Sequence, residues 1–158
     1  METKELIKGL SELFGVELEL DEEGVCAFAA DDLTITIHDL PELGIVMLAG
    51  DLGEPPPMGL EKLYQAMFEA QYLFKHTHGA TFARNPENGR FSLCKPLETS
   101  VQDVQTFCTE TETFVNTVEI WAKLIQDYRG AVAKPTAEPS AELTLPPEGL
   151  DRSDFLRV

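Results

Sequence analysis

The sequence contains one pair of histidines that could share a ligand, in His76-Thr77-His78. Two imidazoles one residue apart can bind a metal ion from a strand, but this pair ends a predicted helix just before Gly79. No cysteine or acidic residue lies nearby at ligand spacing, and cationic histidines also suit a helix C-terminus. We therefore predict no metal site, and we keep a metal-dependent enzyme that uses this pair as an alternative.

Other candidates for chemistry have simpler interpretations. Cys94 precedes Lys95, whose ammonium group could lower the thiol pKa, but small core residues are the favoured interpretation for Cys94 and Cys26. His38 ends a predicted strand at a surface turn, and the acidic residues 21–23 lack the EF-hand pattern. The chain also lacks a phosphate-binding glycine loop, GxSxG, HExxH and CxxC. These observations predict no catalytic residues, no cofactor and no enzymatic activity.

Composition limits the partners of the chain. With 158 residues it is expected to form one domain with a sizeable core. Acidic residues outnumber Lys and Arg by 28 to 12, giving a net charge of -16 that would repel nucleic acids and anionic membranes. No apolar stretch approaches the roughly 20 residues of a membrane span, and no signal peptide follows Met1. Three well-separated cysteines fit a reducing compartment, so we predict a cytoplasmic protein.

The first third of the chain is typical of a helix followed by a meander. Residues 3–14 have one apolar face and end at Gly15, which predicts an amphipathic helix with Thr3 as its cap. Residues 24–30, 33–39 and 45–49 are rich in strand-forming residues and are separated by turns. The pattern predicts three antiparallel strands.

The stretch from Gly59 to Thr77 is predicted to be the helix around which the chain is organised. A helix packed on one side needs only one apolar stripe. This stretch has a first stripe, formed by Leu60, Leu63, Met67, Ala70 and Phe74, and a second stripe, formed by Tyr64, Phe68 and Tyr72. The second stripe indicates either a helix enclosed within its own domain or, as we favour, a two-fold dimer. The predicted dimer interface comprises Leu60, Leu63, Tyr64, Met67, Phe68, Gln71 and Tyr72.

The remaining elements complete an α+β fold. Residues 80–84 and 90–95 flank an Asn88-Gly89 turn and predict a hairpin. From Ser100 to Gly130 a wide apolar stripe predicts a long helix that covers the sheet, with a coiled-coil seam as the alternative. The predicted fold is an antiparallel sheet, made of the three-stranded meander plus the hairpin, packed with three helices. Its element order is α-β-β-β-α-β-β-α, and the protein is a homodimer.

Residues 131–158 differ in composition and predict a proline-rich acidic tail attached to a domain of residues 1–130. The tail contains the apolar clusters Leu143-Thr144-Leu145 and, at its end, residues 155–158. Three interpretations stay open. The tail docks on its own dimer, it is a mobile spacer, or its end is recognised by export machinery.

The element order and three local patterns resemble the class I type III secretion chaperones, the family that includes the Tir chaperone. The patterns are ELIKGLSELFG, LTITIHDLPELGIVMLAGDLG and MGLEKLYQAMFEAQYLF, in residues 5–15, 33–53 and 58–74. The resemblance implies a homodimer that binds the N-terminal segment of a secreted effector in extended form, without ATP or metal. A non-secretory adaptor or small-ligand-binding protein of similar fold is the alternative.

We expect the effector segment to dock on apolar side chains of the first helix and of the hairpin, and to add as a strand to a sheet edge. The predicted effector-binding residues are Ile7, Leu10, Phe14, Phe82, Phe91 and Leu93.

Overall fold

A computed structural model gives the architecture of the chain and describes residues 2–134, 143, 145 and 146. The helices are α1 (Thr3–Phe14), α2 (Leu60–Gln71) and α3 (Val104–Val132). The strands are β1 (Val25–Ala30), β2 (Leu33–Leu40), β3 (Ile45–Gly53), β4 (Thr81–Arg84) and β5 (Phe91–Glu98). The predicted α+β class and element order are confirmed.

The meander and the hairpin form one antiparallel sheet with strand order β1-β2-β3-β5-β4. The two parts are joined by pairing between β3 and β5, which places Val46 opposite Leu97 and Gly50 opposite Leu93. Because side chains alternate along a strand, one face of the sheet carries the buried residues. Ile35 and Ile37 of β2 belong to this face, as the alternation in the sequence predicts. The strands β1 and β4 are the two edges of the sheet.

Helix α3 covers the apolar face of the sheet. Its four aromatic residues recur every seven positions and are all at most 5% exposed, namely Phe107, Phe114, Trp121 and Tyr128. The helix passes close to the sheet at Gly50, where an added Cβ would lie 2.4 Å from Val118 Cγ2. The expectation that this helix is the main cover of the sheet is confirmed.

The boundaries of two helices differ from the prediction. Helix α2 ends at Gln71, not at residue 77, because Leu73 and Phe74 both adopt left-handed φ angles of 54°. The N–H of His76 then donates a hydrogen bond to the C=O of Ala70. Hydrogen bonds of this kind, from the residues after a helix to its last carbonyl groups, are typical of helix C-termini. Helix α3 begins at Val104, because the Asp103 carboxylate caps it, and it continues past Gly130 to Val132.

The N-terminus of α1 is also held differently from the prediction. Thr3 lies inside the helix, and its hydroxyl donates to Asp39 Oδ1 at 2.8 Å instead of capping the helix. This bond ties α1 to the end of β2. The predicted surface turn at residues 38 and 39 is wrong, because both residues lie within β2 and pair with β3. Among the described residues, no helix is long and apolar enough to cross a membrane.

Candidate functional site

The first candidate surface lies between α2 and β4 and is called here the α2–β4 surface. It encloses a cavity of about 240 Å³. Its lining residues are Tyr64, Met67, Phe68, Gln71, Phe82, Ala83, Arg84 and Phe91. Beside the cavity, Phe68, Tyr72 and Leu73 are 74%, 66% and 68% exposed. So much exposed aromatic and aliphatic surface in one place is typical of an interaction site.

Polar contacts fix the shape of the α2–β4 surface. The side-chain oxygen of Gln71 accepts a hydrogen bond from the backbone N–H of Phe82 at 2.7 Å and so joins α2 to β4. Arg84 Nη1 donates to the Tyr64 hydroxyl at 3.3 Å, and the Tyr64 ring packs edge-on against Phe91 at 5.9 Å. The surface is therefore held in place within a single chain.

The predicted dimer residues divide into three groups by burial. Leu63 is fully buried in the core of its own chain, and Met67 is 5% exposed. Leu60, Tyr64 and Gln71 are half-buried, and only Phe68 and Tyr72 are exposed. The expectation of an outward-facing side chain is therefore wrong for Leu63, because the stripe that contains it packs against the chain's own core.

The second candidate surface is a groove between α1 and the extended residues 17–20, called here the α1 groove. Its volume is about 540 Å³. Its lining residues are Lys4, Ile7, Lys8, Ser11, Glu17, Leu18, Glu19 and Leu20. The Ser11 hydroxyl accepts from the N–H of Leu18 at 2.8 Å and so holds the extended segment beside the helix. In the part of the chain that the structure describes, residues 17–20 belong to no strand.

The predicted effector-binding residues do not form one site. Leu10 and Leu93 are fully buried, so the expectation that they offer their side chains to a partner is wrong. Ile7 lines the α1 groove and Phe91 lines the α2–β4 cavity, although both are almost fully buried.

The two remaining predicted residues are half-buried. The Phe14 ring packs against Phe28, with centroids 5.6 Å apart. The Phe82 ring meets Trp121 edge-on at 4.7 Å. Both side chains therefore contribute to packing inside the chain. The hydrophobicity of a helix face thus did not distinguish a binding face from a core face.

Sequence reasoning also missed the extended half of the α1 groove. Residues 16–20 read Val-Glu-Leu-Glu-Leu, an alternation that is typical of a strand with one covered face. Leu18 is buried and Leu20 is half-buried, whereas Glu17 and Glu19 are exposed. The alternation could have identified this segment before the structure was known.

The histidine pair lies in the turn that follows α2. The pKa of His78 is lowered from its ordinary value of 6.5, mainly by burial and further by the nearby Lys95 and His76. Within the described residues, the Nδ1 atoms of His76 and His78 are buried without a hydrogen-bond partner. No group of three or more His, Cys, Asp or Glu side chains that could hold a metal occurs in this part of the chain.

Cys94 does not have the environment of a reactive thiol. Burial raises the pKa of Cys94. Adjacent strand residues point to opposite faces, and Lys95 Nζ forms an ion pair with Glu110 of α3 at 2.5 Å. The possibility that Lys95 activates Cys94 is therefore wrong. Cys26 is buried, and burial raises its pKa as well.

The buried position of His78 predicts a loss of stability in mild acid. Because its pKa is lowered in the folded chain, the unfolded chain takes up a proton at higher pH, so protonation favours unfolding. We expect the free energy of unfolding to fall as the pH decreases below the ordinary value of 6.5. We expect His78→Asn to reduce this fall, since Asn tolerates the left-handed φ of 51° at this position. Urea unfolding at about pH 7.5 and about pH 5.5 measures the effect, and an unchanged pH dependence in the variant would contradict it.

Comparison with solved structures identifies the fold. A chain of the HopA1–SchA chaperone–effector complex aligns with a TM-score of 0.64 at 15% identity, over 77% of this chain and 93% of that one. A chain of the ExsC–ExsE complex aligns with a TM-score of 0.67 at 18% identity, over 78% and 92%. The Yersinia pestis type III secretion chaperone SycH, solved with a fragment of YscM2, gives 0.60 at 13% identity, over 76% and 99%. No curated protein matches the sequence.

The chain therefore has the same fold as these chains, one of which is a type III secretion chaperone. The sequence model of the Tir chaperone protein (CesT) family matches residues 5–122. The chain therefore belongs to the Tir chaperone protein (CesT) family, and the predicted resemblance is confirmed.

Proposed function

We propose that this protein is a cytoplasmic secretion chaperone, without enzymatic activity, that binds the N-terminal segment of a type III effector in extended form and keeps it soluble. Membership of the Tir chaperone family supports this function. Solved relatives of the same fold include chaperone–effector complexes. The net charge of -16 supports solubility of the complex, because strongly charged particles repel one another.

The observation that carries the proposal is the α1 groove beside a sheet edge. Strand β1 is an edge strand, and a turn over residues 21–24, in which the N–H of Asp21 donates to the C=O of Val25, connects it to the extended residues 17–20. An unpaired edge can accept the backbone of another extended segment, while adjacent apolar pockets select its side chains. Ile7, Leu18 and Leu20 supply the apolar lining of the groove. Its charged lining residues are Lys4, Lys8, Glu17 and Glu19.

The α2–β4 surface supports the second part of the proposal, that the chaperone is a homodimer. A two-fold axis brings the same patch of two chains together, so one apolar patch is enough for a symmetric interface. Phe68 and Tyr72 are exposed aromatic residues next to a preformed cavity in this patch. Aromatic residues that fill pockets at the centre of an interface contribute most of the binding energy.

Substitution of Leu20 by Asp tests the effector site. The bound effector segment is first identified by co-purification from the native cytoplasm and mass spectrometry. Leu20→Asp places a carboxylate in the apolar part of the groove, so we expect its Kd for that segment to rise by about 30-fold, or about 2 kcal/mol. Isothermal titration calorimetry measures the change.

The matched control is Leu43→Asp, because Leu43 is 71% exposed on the turn between β2 and β3. We expect this variant to bind like the wild type. If a folded Leu20→Asp protein binds the segment with unchanged affinity, the α1 groove is not the effector site. If no secreted protein co-purifies, the chaperone function itself is contradicted.

A further inference from the structure

A third cavity lies between α3 and the turn that contains the histidine pair, and it is called here the α3 cleft. Its volume is about 280 Å³. Its lining residues are His76, His78, Thr113, Asn116, Thr117, Ile120, Trp121 and Pro146. Seven of these residues belong to the turn and to α3, whereas Pro146 belongs to the C-terminal tail. The tail therefore closes part of the cleft.

Two further tail residues contact the body of the protein. Leu143 and Leu145 are half-buried and pack against the main hydrophobic core. Together with Pro146 they belong to the tetrapeptide Leu-Thr-Leu-Pro of residues 143–146. All three described residues of this tetrapeptide thus contact the domain, as a bound peptide would.

The length of the connection allows this contact. Pro146 lines the same cleft as Thr117, which precedes the last residue of α3, Val132, by about 22 Å along the helix axis. Residues 133–142 can span roughly 33 Å when fully extended. A short tether of this kind gives its end an effective concentration of about 1 mM, so that even weak contacts stay largely occupied.

The part of the cleft formed by α3 suits an apolar segment that contains proline, whereas His76 and His78 on the other side have Nδ1 atoms without a hydrogen-bond partner among the described residues. The indole N–H of Trp121 already donates to the backbone oxygen of His76 at 2.8 Å, so its ring needs no polar partner. The Thr117 hydroxyl likewise donates to the backbone oxygen of Thr113 at 2.8 Å. Proline has no N–H to leave unpaired. The side chain of Ile120, which is 46% exposed, extends the apolar area.

We propose that the α3 cleft is a peptide-binding site distinct from the α1 groove, and that residues 143–146 of the chain's own tail are its ligand. The tail is then an intramolecular ligand that covers Trp121 and the turn after α2. This function goes beyond effector binding, because it assigns a docking site to a segment outside the part of the chain that matches the chaperone family. Of the three interpretations of the tail, docking on the domain is the one that these contacts support.

The single tryptophan of the chain, Trp121, reports on the cleft directly. In the full-length protein, Leu143→Ser/Leu145→Ser is expected to release the tail. Trp121 emission should shift to longer wavelength, and quenching by acrylamide should increase. The matched control is Leu150→Ser/Leu156→Ser, which removes two leucines of the same tail and should give wild-type values. Circular dichroism confirms that both variants are folded.

A peptide of residues 141–148, added in trans to Leu143→Ser/Leu145→Ser, should restore the wild-type emission and quenching. Half of the effect is expected below about 1 mM, because a tethered segment stays largely bound only when its Kd is lower than the effective concentration that tethering supplies. A peptide of scrambled sequence should have no effect. The proposal is overturned if the double variant keeps wild-type fluorescence, if the control variant changes it equally, or if the peptide fails to reverse the change. No effector enters these measurements, so their outcome is independent of the secretion function.

Discussion

Phe68→Glu is expected to convert a dimeric chaperone into a folded monomer. Phe68 is 74% exposed in the single chain, so the substitution removes little from the core. In a two-fold dimer the same side chain is contributed by both chains, so each interface would contain two carboxylates. An unpaired buried carboxylate costs about 2 kcal/mol or more. Two of them should raise the dimer Kd on the order of 1,000-fold.

Light scattering at micromolar concentration measures the mass of the wild type and of the variant. Leu43→Glu is the matched control, because Leu43 is 71% exposed but belongs to the turn Pro41–Leu43. This control should remain dimeric. A folded wild-type monomer at micromolar concentration would contradict the dimer, and a dimeric Phe68→Glu protein would place the interface elsewhere.

Phe68 is a better test position than Tyr64, which the second apolar stripe of α2 also places in the interface. The Tyr64 hydroxyl accepts a hydrogen bond from Arg84, and its ring packs against Phe91. A charge at Tyr64 would therefore disturb the fold of each chain as well as the dimer. Phe68 is exposed in the single chain, whereas Tyr64 is half-buried there. A charge at Phe68 therefore tests the dimer without disturbing the fold of the single chain.

Gly50→Ala is expected to destabilise the domain by about 1–3 kcal/mol, the usual effect of overpacking a core. Gly50 lies in the central part of β3, where α3 crosses the sheet. An added Cβ would lie 2.4 and 2.8 Å from the two methyl groups of Val118 and 3.2 Å from Ile35 Cδ1. Val118 and Ile35 are fully buried, so neither can move into solvent.

A double-mutant cycle tests this cause. Val118→Ala removes the two methyl groups that the new Cβ would meet, so Gly50→Ala/Val118→Ala should be more stable than the sum of the single effects predicts. The same substitution at Gly130, where no atom lies within 4 Å of the added Cβ, should raise stability by up to about 1 kcal/mol. Urea unfolding of the wild type and of these four variants provides the free energies. Strictly additive effects would show that Val118 is not the cause.

The amino-acid sequence determined the elements of this protein and the identity of its apolar faces. The alternation in residues 33–39 placed Ile35 and Ile37 on the buried face of β2. The aromatic residues repeated along α3 placed that helix on the sheet. These inferences depend on local periodicity, which the backbone geometry of helices and strands imposes on any chain with one covered face.

Only the tertiary structure decided what covers each face. Leu10 and Leu93 are apolar residues that could belong either to a binding surface or to the core. Both are fully buried, because distant elements of the same chain pack against them. The end of α2 at Gln71 is set by left-handed residues whose side chains, Leu73 and Phe74, have no preference for that conformation.

The contact of Leu143, Leu145 and Pro146 with the domain likewise joins residues that are far apart in sequence. Periodicity shows that a surface is apolar. Whether the same chain, a second copy or an effector covers that surface depends on packing between residues that are far apart in sequence. That packing depends on shape and distance in three dimensions.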